Sequence, residues 1–439
     1  MTQSHATLPS RLLALDRFGI NLGLDNISRL CAALGHPERT FRALHVAGTN
    51  GKGSVTAMVH AALVAGGVRA SRYVSPHLVD LAERFVIGND PVDAGALNRV
   101  TDDVLDCAAS LPGPDGLPMR VTFFEATTAI AFELFRRARV DVAVVEVGLG
   151  GRYDATNILT PIAGAITSIG LDHQQWLGQG VDAIASEKAG IIKPGMDIVV
   201  GALPRDAHRV VAEVARVQRA RMIDASASAC VTRGSAGAQA AMTIDTPDDR
   251  YGPLSLALRG EHQIGNALVA IRLLEAAGRR GVRVTREAIE HGLTKVEWPG
   301  RLELIGMHDG RQLLLDAAHN VDGARVLATH LAHWHPAPTR PALVLGVMRD
   351  KDVEGIIETL LPVVSSVVTT AAQNTRAIPA DELAARVLAT RPSIPIRSEP
   401  NPMHAVDTAL ANCGAVCVAG SLLVVGEVRG GLRQRAILR

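Results

Sequence analysis

A glycine-rich segment at residues 45–54, with the sequence HVAGTNGKGS, constrains the fold of this chain more than any other feature. Glycine adopts backbone dihedrals that are closed to other residues, so the N–H groups around Gly48, Gly51 and Gly53 can converge on phosphate oxygens. Residues 55–64 are mainly apolar and predict a helix, whose positive N-terminal end would face the same anion. The segment therefore predicts a strand, a phosphate-binding turn and a helix.

Two side chains of residues 48–54, the phosphate loop, match a nucleotide triphosphate. Lys52 supplies a mobile positive charge for the outer phosphates, and Ser54 supplies a hydroxyl that reaches a phosphate or its Mg²⁺. The spacing departs from the common GxxxxGK[ST] form, because Gly53 separates the lysine from the serine. In the alternative interpretation the glycines only allow tight packing at a strand-to-helix corner, which leaves the lysine unexplained.

The composition bounds the size and class of the protein. A chain of 439 residues is too long for one ordinary core, and 47% hydrophobic with 20% charged residues is typical of a soluble globular protein of two or three domains, with two as the working number. The 45 basic and 44 acidic residues leave a formal charge of +1, so no overall field favours nucleic acid or an anionic membrane. Aromatic residues make up only 3%, which argues against a stacking platform for single-stranded nucleic acid. We expect small-molecule partners, and neither nucleic acid nor a membrane.

The cysteines and the apolar runs bear on the cellular compartment. The five cysteines, at positions 31, 107, 230, 413 and 417, form no CxxC pair and no cluster with histidine, which indicates neither a disulfide framework nor a structural zinc site. The sequence shows no N-terminal signal pattern and no run of about 18 apolar residues. These observations predict a cytoplasmic protein.

Apolar, β-branched runs bounded by glycines recur along the first part of the chain and alternate with helical patterns. They lie at residues 43–46, 140–147, 162–169 and 198–200. This alternation is typical of a parallel sheet with helical crossovers, in which ligands sit at the carboxyl ends of the strands. Residues 203–258 break the rhythm with a small-residue stretch and a polar turn, so we expect a β-rich or irregular insertion without a site there.

A proline and a glycine at positions 299 and 300 interrupt the helical pattern, and a second series of predicted strands follows. These strands lie at residues 312–316, 342–346, 366–370 and 415–419. We therefore place a domain boundary here, with residues 1–297 as an ATP-binding domain and residues 298–439 as a second domain. The predicted fold class is α/β: an N-terminal P-loop ATPase-type domain with a parallel sheet, and a C-terminal Rossmann-like domain that lacks a GxGxxG motif.

Polar residues follow several of the predicted strands. Glu146 ends an apolar strand beside a second glycine-rich turn and is a candidate Mg²⁺ ligand, because Mg²⁺ on nucleotide phosphates takes one or two hard oxygen ligands from the protein. The alternative is a buried structural carboxylate paired with Arg152 or a lysine. His173, at another strand end, either binds a second divalent ion or orients a carboxylate, and an ordinary polar role is the alternative.

Three further charged positions also leave alternatives open. Lys188 lies in an otherwise apolar helical turn, where it is either solvated or, if buried, has a lowered pKa and a reactive amine. Asp316 and His319, three residues apart at a predicted strand end, match a pair that handles protons or orients an amine. A helix N-cap accounts for Asp316 nearly as well.

Together these residues resemble one family, the folylpolyglutamate synthase/dihydrofolate synthase group of the Mur ligase superfamily, and the match spans most of the chain. The matching stretches are residues 48–54, 75–78, 122–125, 146–157, 186–192, 260–267, 299–301, 316–320 and 420–421. The resemblance implies an ATP-dependent ligase in which a substrate carboxylate takes the γ-phosphoryl group. The amine of L-glutamate then attacks the acyl phosphate, giving an amide, ADP and phosphate.

The resemblance also implies roles for individual residues. The residues implied to contact ATP are Asn50, Gly51, Lys52, Gly53, Ser54, Asn266, Arg301 and Asp316. Magnesium, as two ions, is implied at Ser75, Glu146 and His173. Lys188 matches a lysine that these enzymes carry as a carbamate, which would turn a cation into an anion able to bind Mg²⁺. The implied catalytic set is Lys52, Lys188, Asp316 and His319.

Residues 20–25, with the sequence INLGLD, resemble the N-terminal pterin-site loop of the bifunctional bacterial enzymes. The residues implied to line a pteroate pocket are Leu22, Gly23, Leu24, Thr122, Phe124, Tyr153, Asp154 and Ala155. Two positions depart from the family pattern, since Asn21 stands where an acidic residue is often found and Asn26 where arginine is common. The implied substrates are dihydropteroate or a reduced folate, together with L-glutamate.

Three other functions remain open from the sequence. A monofunctional folylpolyglutamate synthase would lack the dihydropteroate activity. A Mur-type ligase for a cell-wall precursor predicts a nucleotide-sugar domain before the phosphate loop, whereas only residues 1–44 precede His45. A non-catalytic nucleotide-binding module does not need Glu146, His173, Lys188 and His319 together. A monomer is the default expectation for the oligomeric state.

Overall fold

The structure is a computed structural model that describes residues 10–15, 21–113, 116–234, 241–307 and 309–438. The chain folds into two compact units. The first unit comprises Met1–Ala257 and Gln263–Val296, and the second comprises Leu258–His262 and Glu297–Arg439. Ile20, the first residue of the predicted pterin-site loop, lies outside the described residues.

An eight-stranded sheet forms the centre of the first unit. Its strands are β1 (Arg42–Ala47), β2 (Ala70–Tyr73), β3 (Phe85–Ile87), β4 (Asp90–Pro91), β5 (Val142–Glu146), β6 (Ala163–Ile166), β7 (Asp197–Val200) and β8 (Arg221–Asp224). Their order across the sheet is β4-β3-β2-β5-β1-β6-β7-β8, with antiparallel pairing among β2, β3 and β4 and parallel pairing elsewhere. The four strands predicted in the first part of the chain are confirmed as β1, β5, β6 and β7.

The position of β1 between β5 and β6 brings three strand ends side by side. Val46 pairs with Glu146 of β5 on one side and with Ala165 of β6 on the other. All residues of β1 after the first are buried, as expected for a central parallel strand covered on both faces. The phosphate loop, Glu146 and residues 167–170 therefore leave the sheet at the same edge, where ligands bind in open α/β sheets.

Ten helices are described in or beginning beside the first unit. They are α1 (Ser10–Leu13), α2 (Asp25–Ala33), α3 (Lys52–Ala65), α4 (Ala94–Ser110), α5 (Phe123–Arg137), α6 (Gln174–Leu177), α7 (Val181–Ala189), α8 (Arg205–Val217), α9 (His262–Arg279) and α10 (Arg286–Lys295). The helix predicted at residues 55–64 is confirmed as α3, and most of its residues are buried. Burial around most of its circumference shows that α3 packs inside the unit rather than on its surface.

The prediction that the α/β rhythm stops at residue 203 is wrong for the first part of that segment. Residues 205–224 continue the rhythm with α8 and with β8, which pairs parallel with β7. The missed signal is the four-residue spacing of Ala207, Val211 and Ala215, which are the buried residues of α8. The β-rich prediction is confirmed downstream by an antiparallel sheet of β9 (Cys230–Arg233), β10 (Met242–Asp245) and β11 (Arg250–Leu254).

A six-stranded sheet forms the centre of the second unit. Its strands are β12 (Glu303–Gly306), β13 (Gln312–Leu315), β14 (Ala342–Leu345), β15 (Ser366–Thr369), β16 (Ile396–Ser398) and β17 (Ala415–Ala419), in the order β12-β13-β17-β14-β15-β16. The edge strand β12 is antiparallel, and the other neighbours pair in parallel. The helices are α11 (Val321–Trp334), α12 (Val353–Leu360), α13 (Ala380–Thr390), α14 (Pro402–Leu410) and α15 (Leu422–Gln434). The predicted Rossmann-like α/β arrangement is confirmed.

The cysteines are all free thiols. Burial raises the pKa of Cys31, so this thiol packs as a neutral, small apolar group. Within the described residues, none of the helices combines the length and hydropathy that a bilayer crossing requires.

Candidate active site

The phosphate loop joins β1 to α3 and is held by the polar residues that follow β6. The Asn50 N–H donates to Ser168 Oγ at 2.9 Å, and Thr167 Oγ1 donates to the Asn50 carbonyl at 2.6 Å. The Thr49 N–H donates to the Ser168 carbonyl at 2.8 Å. The loop is therefore braced from the neighbouring strand. Sequence analysis missed Thr167 and Ser168, although two adjacent hydroxyl residues at the end of an apolar strand were a usable signal.

Two glycines of the loop are required by close contacts. Gly48 has a φ of 153° and Gly51 a φ of 85°, both in the range that favours glycine. A Cβ on Gly48 would collide with Thr167 Oγ1, and a Cβ on Gly51 would collide with Asn266 Oδ1. The predicted ATP contact Asn266 therefore lies directly against the loop.

Asn266 belongs to a short polar chain at the start of α9. Its Nδ2 donates to Gln263 Oε1 at 2.8 Å, and Gln263 Nε2 donates to Ser54 Oγ at 3.4 Å. Gln263 is buried and was not among the predicted site residues. These contacts bring Asn266 and Ser54, two predicted ATP contacts separated by about two hundred residues in the sequence, into one network.

Two lysine ammonium groups meet at one carbonyl oxygen of the loop. Lys52 Nζ donates to the carbonyl of Gly48 at 3.1 Å and to that of Thr49 at 3.2 Å. Lys188 Nζ, on α7, donates to the same Gly48 oxygen at 3.0 Å. Burial, and then the charge of Lys52, lower the pKa of Lys188 to about 7. The structure thus favours the buried alternative for Lys188 and brings two amines together beside the predicted phosphate site.

Ser75 and Glu146, two of the predicted metal residues, lie together. Glu146 is the last residue of β5, Ser75 follows the neighbouring strand β2, and the Ser75 N–H donates to Glu146 Oε2 at 3.4 Å. Glu146 is buried. The alternative partner Arg152 pairs instead with Glu187, at 3.7 Å.

His173, the third predicted metal residue, lies beside Asp172. The His173 N–H donates to Asp172 Oδ1 at 2.9 Å, and Nε2 lies 3.8 Å from the same oxygen. In the part of the chain that the structure describes, no three or more His, Cys, Asp or Glu residues form a group arranged for a metal ion. Mg²⁺ on a nucleotide needs few protein ligands, because phosphates and water supply the rest. The buried carboxylate of Glu146 and the hydroxyl of Ser75 are hard oxygen donors that fit such an ion.

The start of α5 gathers several residues of the predicted pteroate pocket. Thr122 caps the helix, since its Oγ1 accepts the Glu125 N–H at 3.1 Å and Glu125 Oε2 accepts the Thr122 N–H at 2.7 Å. The ring of Phe124 packs against Gly148, where a Cβ would collide with it. The carboxylate of the buried Asp154 accepts the N–H of Leu149, the residue after Gly148, at 2.8 Å. Phe124 and Asp154 therefore contact the same turn.

The remaining pocket candidates are less closely grouped. Ala155 is buried, and Leu24 packs against the same hydrophobic cluster as Phe124. Leu22 and Tyr153 have exposed side chains, and nothing lies within 4 Å of a Cβ built on Gly23.

Asn21, which departs from the family pattern, links the N-terminal segment to α5. Its Nδ2 donates to Glu125 Oε1 at 3.1 Å. Glu125 is buried, so an acidic side chain at position 21 would place two carboxylates in contact. The asparagine replaces that repulsion with a hydrogen bond.

The segment after β2, residues 75–80, is fixed by two charged residues that the sequence analysis did not select. The Glu83 carboxylate accepts the N–H groups of Leu78 at 2.8 Å and Asp80 at 3.2 Å. Arg84 Nε donates to His77 Nδ1 at 3.0 Å. Burial, together with Arg84, lowers the pKa of His77 to about 4. The segment that begins at Ser75 is thus held in one conformation.

In the second unit, Asp316 follows β13 and is buried. Its Oδ2 accepts the Leu302 N–H and its Oδ1 accepts the Ala318 N–H, each at 2.9 Å. Burial raises the pKa of Asp316, while the charge of Arg301 opposes the shift. The N-cap alternative for Asp316 is wrong: the residue that caps α11 is Asn320, whose Oδ1 accepts the Gly323 N–H at 2.8 Å.

His319 lies in the same turn and has a defined hydrogen-bonding pattern. Its Nδ1 is 2.9 Å from the carbonyl oxygen of Ala317. A carbonyl only accepts, so Nδ1 carries the hydrogen, and the neutral ring has its lone pair on Nε2. The second unit therefore presents a buried carboxylate, the Arg301 guanidinium and a proton-accepting imidazole nitrogen around the end of β13.

Comparison with known proteins places the chain among enzymes of known chemistry. Residues 119–274 match the Mur ligase middle domain, and residues 300–422 match the Mur ligase glutamate ligase domain. A Bacillus subtilis dihydrofolate synthase/folylpolyglutamate synthase is 35% identical over 351 residues, which cover 78% of this chain and 80% of that protein. The Mycobacterium tuberculosis folylpolyglutamate synthase solved with ADP and AMPPCP has a TM-score of 0.88 at 33% identity, covering 96% of this chain and 97% of that one. A bifunctional folylpolyglutamate synthase/dihydrofolate synthase solved with Mn, AMPPNP and L-glutamate has a TM-score of 0.84 at 28% identity, covering 98% and 100%.

Proposed function

This chain belongs to the dihydrofolate synthase/folylpolyglutamate synthase family of Mur ligases, and we propose that it joins L-glutamate to dihydropteroate and to the γ-carboxylates of folates. It is an ATP-dependent, ADP-forming amide ligase. The observation that carries the proposal is the convergence of Lys52 and Lys188 on the Gly48 carbonyl of the phosphate loop. The Lys52 amine at a glycine-rich turn suits the phosphates of ATP, the neighbouring Lys188 supplies the amine for the modification proposed below, and solved relatives hold ADP or AMPPNP.

The reaction we propose has two steps. A carboxylate oxygen of the acceptor attacks the γ-phosphorus of ATP, and the bond from that phosphorus to the bridging oxygen breaks to release ADP. The amine nitrogen of L-glutamate then attacks the acyl carbon, the amide bond forms, and phosphate leaves with the former carboxylate oxygen. Lys52 stabilises the negative charge of the transferring phosphoryl group. In this step Nε2 of His319 accepts the proton that the glutamate amine loses. The hydrogen bond from Nδ1 to the Ala317 carbonyl keeps the lone pair of the neutral ring on Nε2.

Divalent metal ions belong to this proposal. Bound Mg²⁺ would neutralise phosphate charge, and we assign one ion to Ser75 and Glu146 and a second to His173 and a modified Lys188. A relative was solved with Mn, AMPPNP and L-glutamate bound, which supports a divalent ion beside the nucleotide. Titration calorimetry of Mn²⁺ into the enzyme with a non-hydrolysable ATP analogue should give two ions per chain. One ion per chain would contradict the second assignment.

The modification we propose for Lys188 is a carbamate. Its pKa of about 7 leaves a large neutral fraction at neutral pH, and a neutral amine attacks CO₂: the nitrogen lone pair forms the N–C bond and a proton leaves to solvent. Lys188→Ala and Lys188→Arg should both be inactive, because neither forms a carbamate. Short carboxylates such as acetate should restore part of the activity of Lys188→Ala only. Activity in Lys188→Arg would overturn the proposal, and the exposed Lys295→Ala is the matched control.

The experiment that tests the function is a coupled ADP-release assay with ATP, Mg²⁺ and L-glutamate, run separately with dihydropteroate and with a reduced folate. Lys52→Ala is the inactive control. Release with both acceptors is expected. Release with the folate alone would favour the monofunctional synthase, and release with neither from folded, ATP-binding protein would overturn the substrate assignment.

The roles of the two parts of the chain are also proposals. We assign ATP binding to residues 1–297 and the glutamate side of the reaction to residues 298–439, and we expect a monomer. Sedimentation equilibrium tests the latter directly. Arg301→Glu should weaken ATP binding, as measured by fluorescent-nucleotide titration, because the resemblance implies that Arg301 contacts ATP.

A further inference from the structure

His77 has a fixed tautomer that no part of the proposed chemistry uses. Its Nδ1 lies 3.0 Å from Nε of Arg84. A guanidinium has donors only, so Nδ1 must accept and must hold a lone pair. The single ring hydrogen is therefore on Nε2. Within the described residues, Nε2 makes no hydrogen bond, and it is not among the buried polar atoms that lack a partner. His77 thus presents an N–H group at an accessible position.

The surroundings of His77 point to the acceptor substrate rather than to ATP. The guanidinium of Arg84 lies 5.1 Å from the ring centroid of Phe123, the first residue of α5. Thr122 and Phe124, its neighbours in sequence, are pocket candidates. The other end of the segment, Ser75, contacts Glu146 at the end of β5. His77 therefore lies between the aromatic start of α5 and the end of a strand that carries a predicted metal ligand.

We propose that His77 is an acceptor-binding residue that donates its Nε2–H to a carboxylate or carbonyl oxygen of the pteroate-type substrate, with Arg84 as the positioning residue that fixes its tautomer. This inference rests on the proposed function. A protonated nitrogen cannot coordinate a metal ion and cannot act as a base, so the arrangement supplies neither of those roles through Nε2. It supplies a directional hydrogen bond, and its partner Arg84 lies over the Phe123 ring at the start of α5.

Three substitutions at position 77 separate this role from packing. The amide nitrogen of His77→Gln reaches roughly the place of Nε2, whereas that of His77→Asn reaches roughly the place of Nδ1. We expect His77→Ala and His77→Asn to raise the KM for dihydropteroate about tenfold or more, and His77→Gln to stay within about threefold of the wild type. The KM for ATP should change less than about twofold in all three. Equal increases in the three variants, an increase confined to ATP, or no change in His77→Ala would each overturn the proposal.

A spectroscopic test does not depend on turnover. Long-range nitrogen–proton NMR correlations of the histidine-labelled full chain distinguish the two neutral tautomers, and the His77 signal is identified by its loss in His77→Gln. We expect Nε2–H in the wild type and a mixture of tautomers in Arg84→Met. Nδ1–H in the wild type overturns the assignment. If the enzyme releases no ADP with any pterin acceptor, the proposed function fails on that result, while the NMR spectrum and direct dihydropteroate binding still decide the role of His77.

Discussion

His77 in the first unit and His319 in the second are the same side chain with opposite hydrogen-bonding character. Nδ1 of each ring makes a hydrogen bond, with the donor Arg84 in one case and with the acceptor carbonyl of Ala317 in the other. The accessible chemistry of the ring follows from that partner: Nε2 carries a hydrogen in His77 and a lone pair in neutral His319. The comparison teaches that the partner, and not the residue type, decides whether a histidine donates or accepts.

Lys188 and Asp316 show that the pKa of a charged group also depends on its surroundings. Burial lowers the pKa of Lys188 in the first unit and raises the pKa of Asp316 in the second. Both shifts favour the neutral form, since a low-dielectric interior penalises either charge. The two groups differ in how they are held, because Lys188 donates to one carbonyl and Asp316 accepts two N–H groups.

The largest expected effect is on kcat in His319→Ala, whereas His77→Ala is expected to change the KM for the acceptor. His319→Ala should lower kcat by roughly 10²- to 10⁴-fold, because it removes the proposed proton acceptor. His77→Ala should leave kcat within about threefold and act on the acceptor KM. Steady-state kinetics of the two variants with dihydropteroate measure both parameters. Equal losses of kcat in the two variants would contradict the assignment of His319 as proton acceptor and His77 as substrate-binding donor.

Removing the buried carboxylate of the second unit should reduce its stability. Asp316→Ala leaves the N–H groups of Leu302 and Ala318 without their acceptor, and we expect a loss of about 2–4 kcal/mol in the free energy of unfolding. Asp316→Asn keeps one acceptor oxygen and should lose less. Urea denaturation followed by circular dichroism gives both values. An Asp316→Ala variant as stable as the wild type would show that relief from burying the charge offsets both lost hydrogen bonds.

The pH dependence of stability should reveal the buried lysine of the first unit. The pKa of Lys188 falls from 10.5 to about 7 on folding, so between these values the unfolded chain binds more protons. The contribution of Lys188 to stability therefore rises with pH across this window, by up to about 1.4 kcal/mol per pH unit. Lys188→Met should remove this slope in buffer freed of CO₂. An unchanged slope in the variant would mean that another group causes it.

The smallest effect is expected at the surface of the second unit. Arg325 pairs with Asp322 at 2.7 Å, and both side chains are exposed. Arg325→Ala should change the free energy of unfolding by less than about 1 kcal/mol, because water and salt screen such a pair. The same urea titration measures it. A loss comparable with that of Asp316→Ala would contradict the idea that burial sets the size of the electrostatic effects here.

The fold was largely predictable because its signals are local. Apolar, β-branched runs ending in glycine marked β1, β5, β6 and β7, and the glycines and lysine of residues 48–54 marked the turn between β1 and α3. α8 was missed because its surface is strongly charged and a stretch of small residues follows it. The sequence alone does not show that β8, the strand after α8, joins the edge of the sheet beside β7.

The parts of the site that were missed are contacts between distant residues. Thr167 braces the Asn50 carbonyl, and Gln263 reaches Ser54, although neither pair is close in sequence. Asn320 rather than Asp316 caps α11, because the turn after β13 uses the carboxylate for Leu302 and Ala318. Propensity at one position cannot report which backbone group an oxygen will meet in three dimensions.

The oxygen on which Lys52 and Lys188 converge belongs to the main chain, so no amino-acid replacement deletes it. In a saturation mutagenesis library, substitutions at position 48 would lose activity because their side chains collide with Thr167. Their loss would not measure how much the carbonyl oxygen contributes. Variation in this part of the enzyme is therefore confined to the lysines themselves and to the residues that support the turn. An inhibitor that draws its affinity from the same carbonyl would contact an atom that selection for resistance cannot exchange directly.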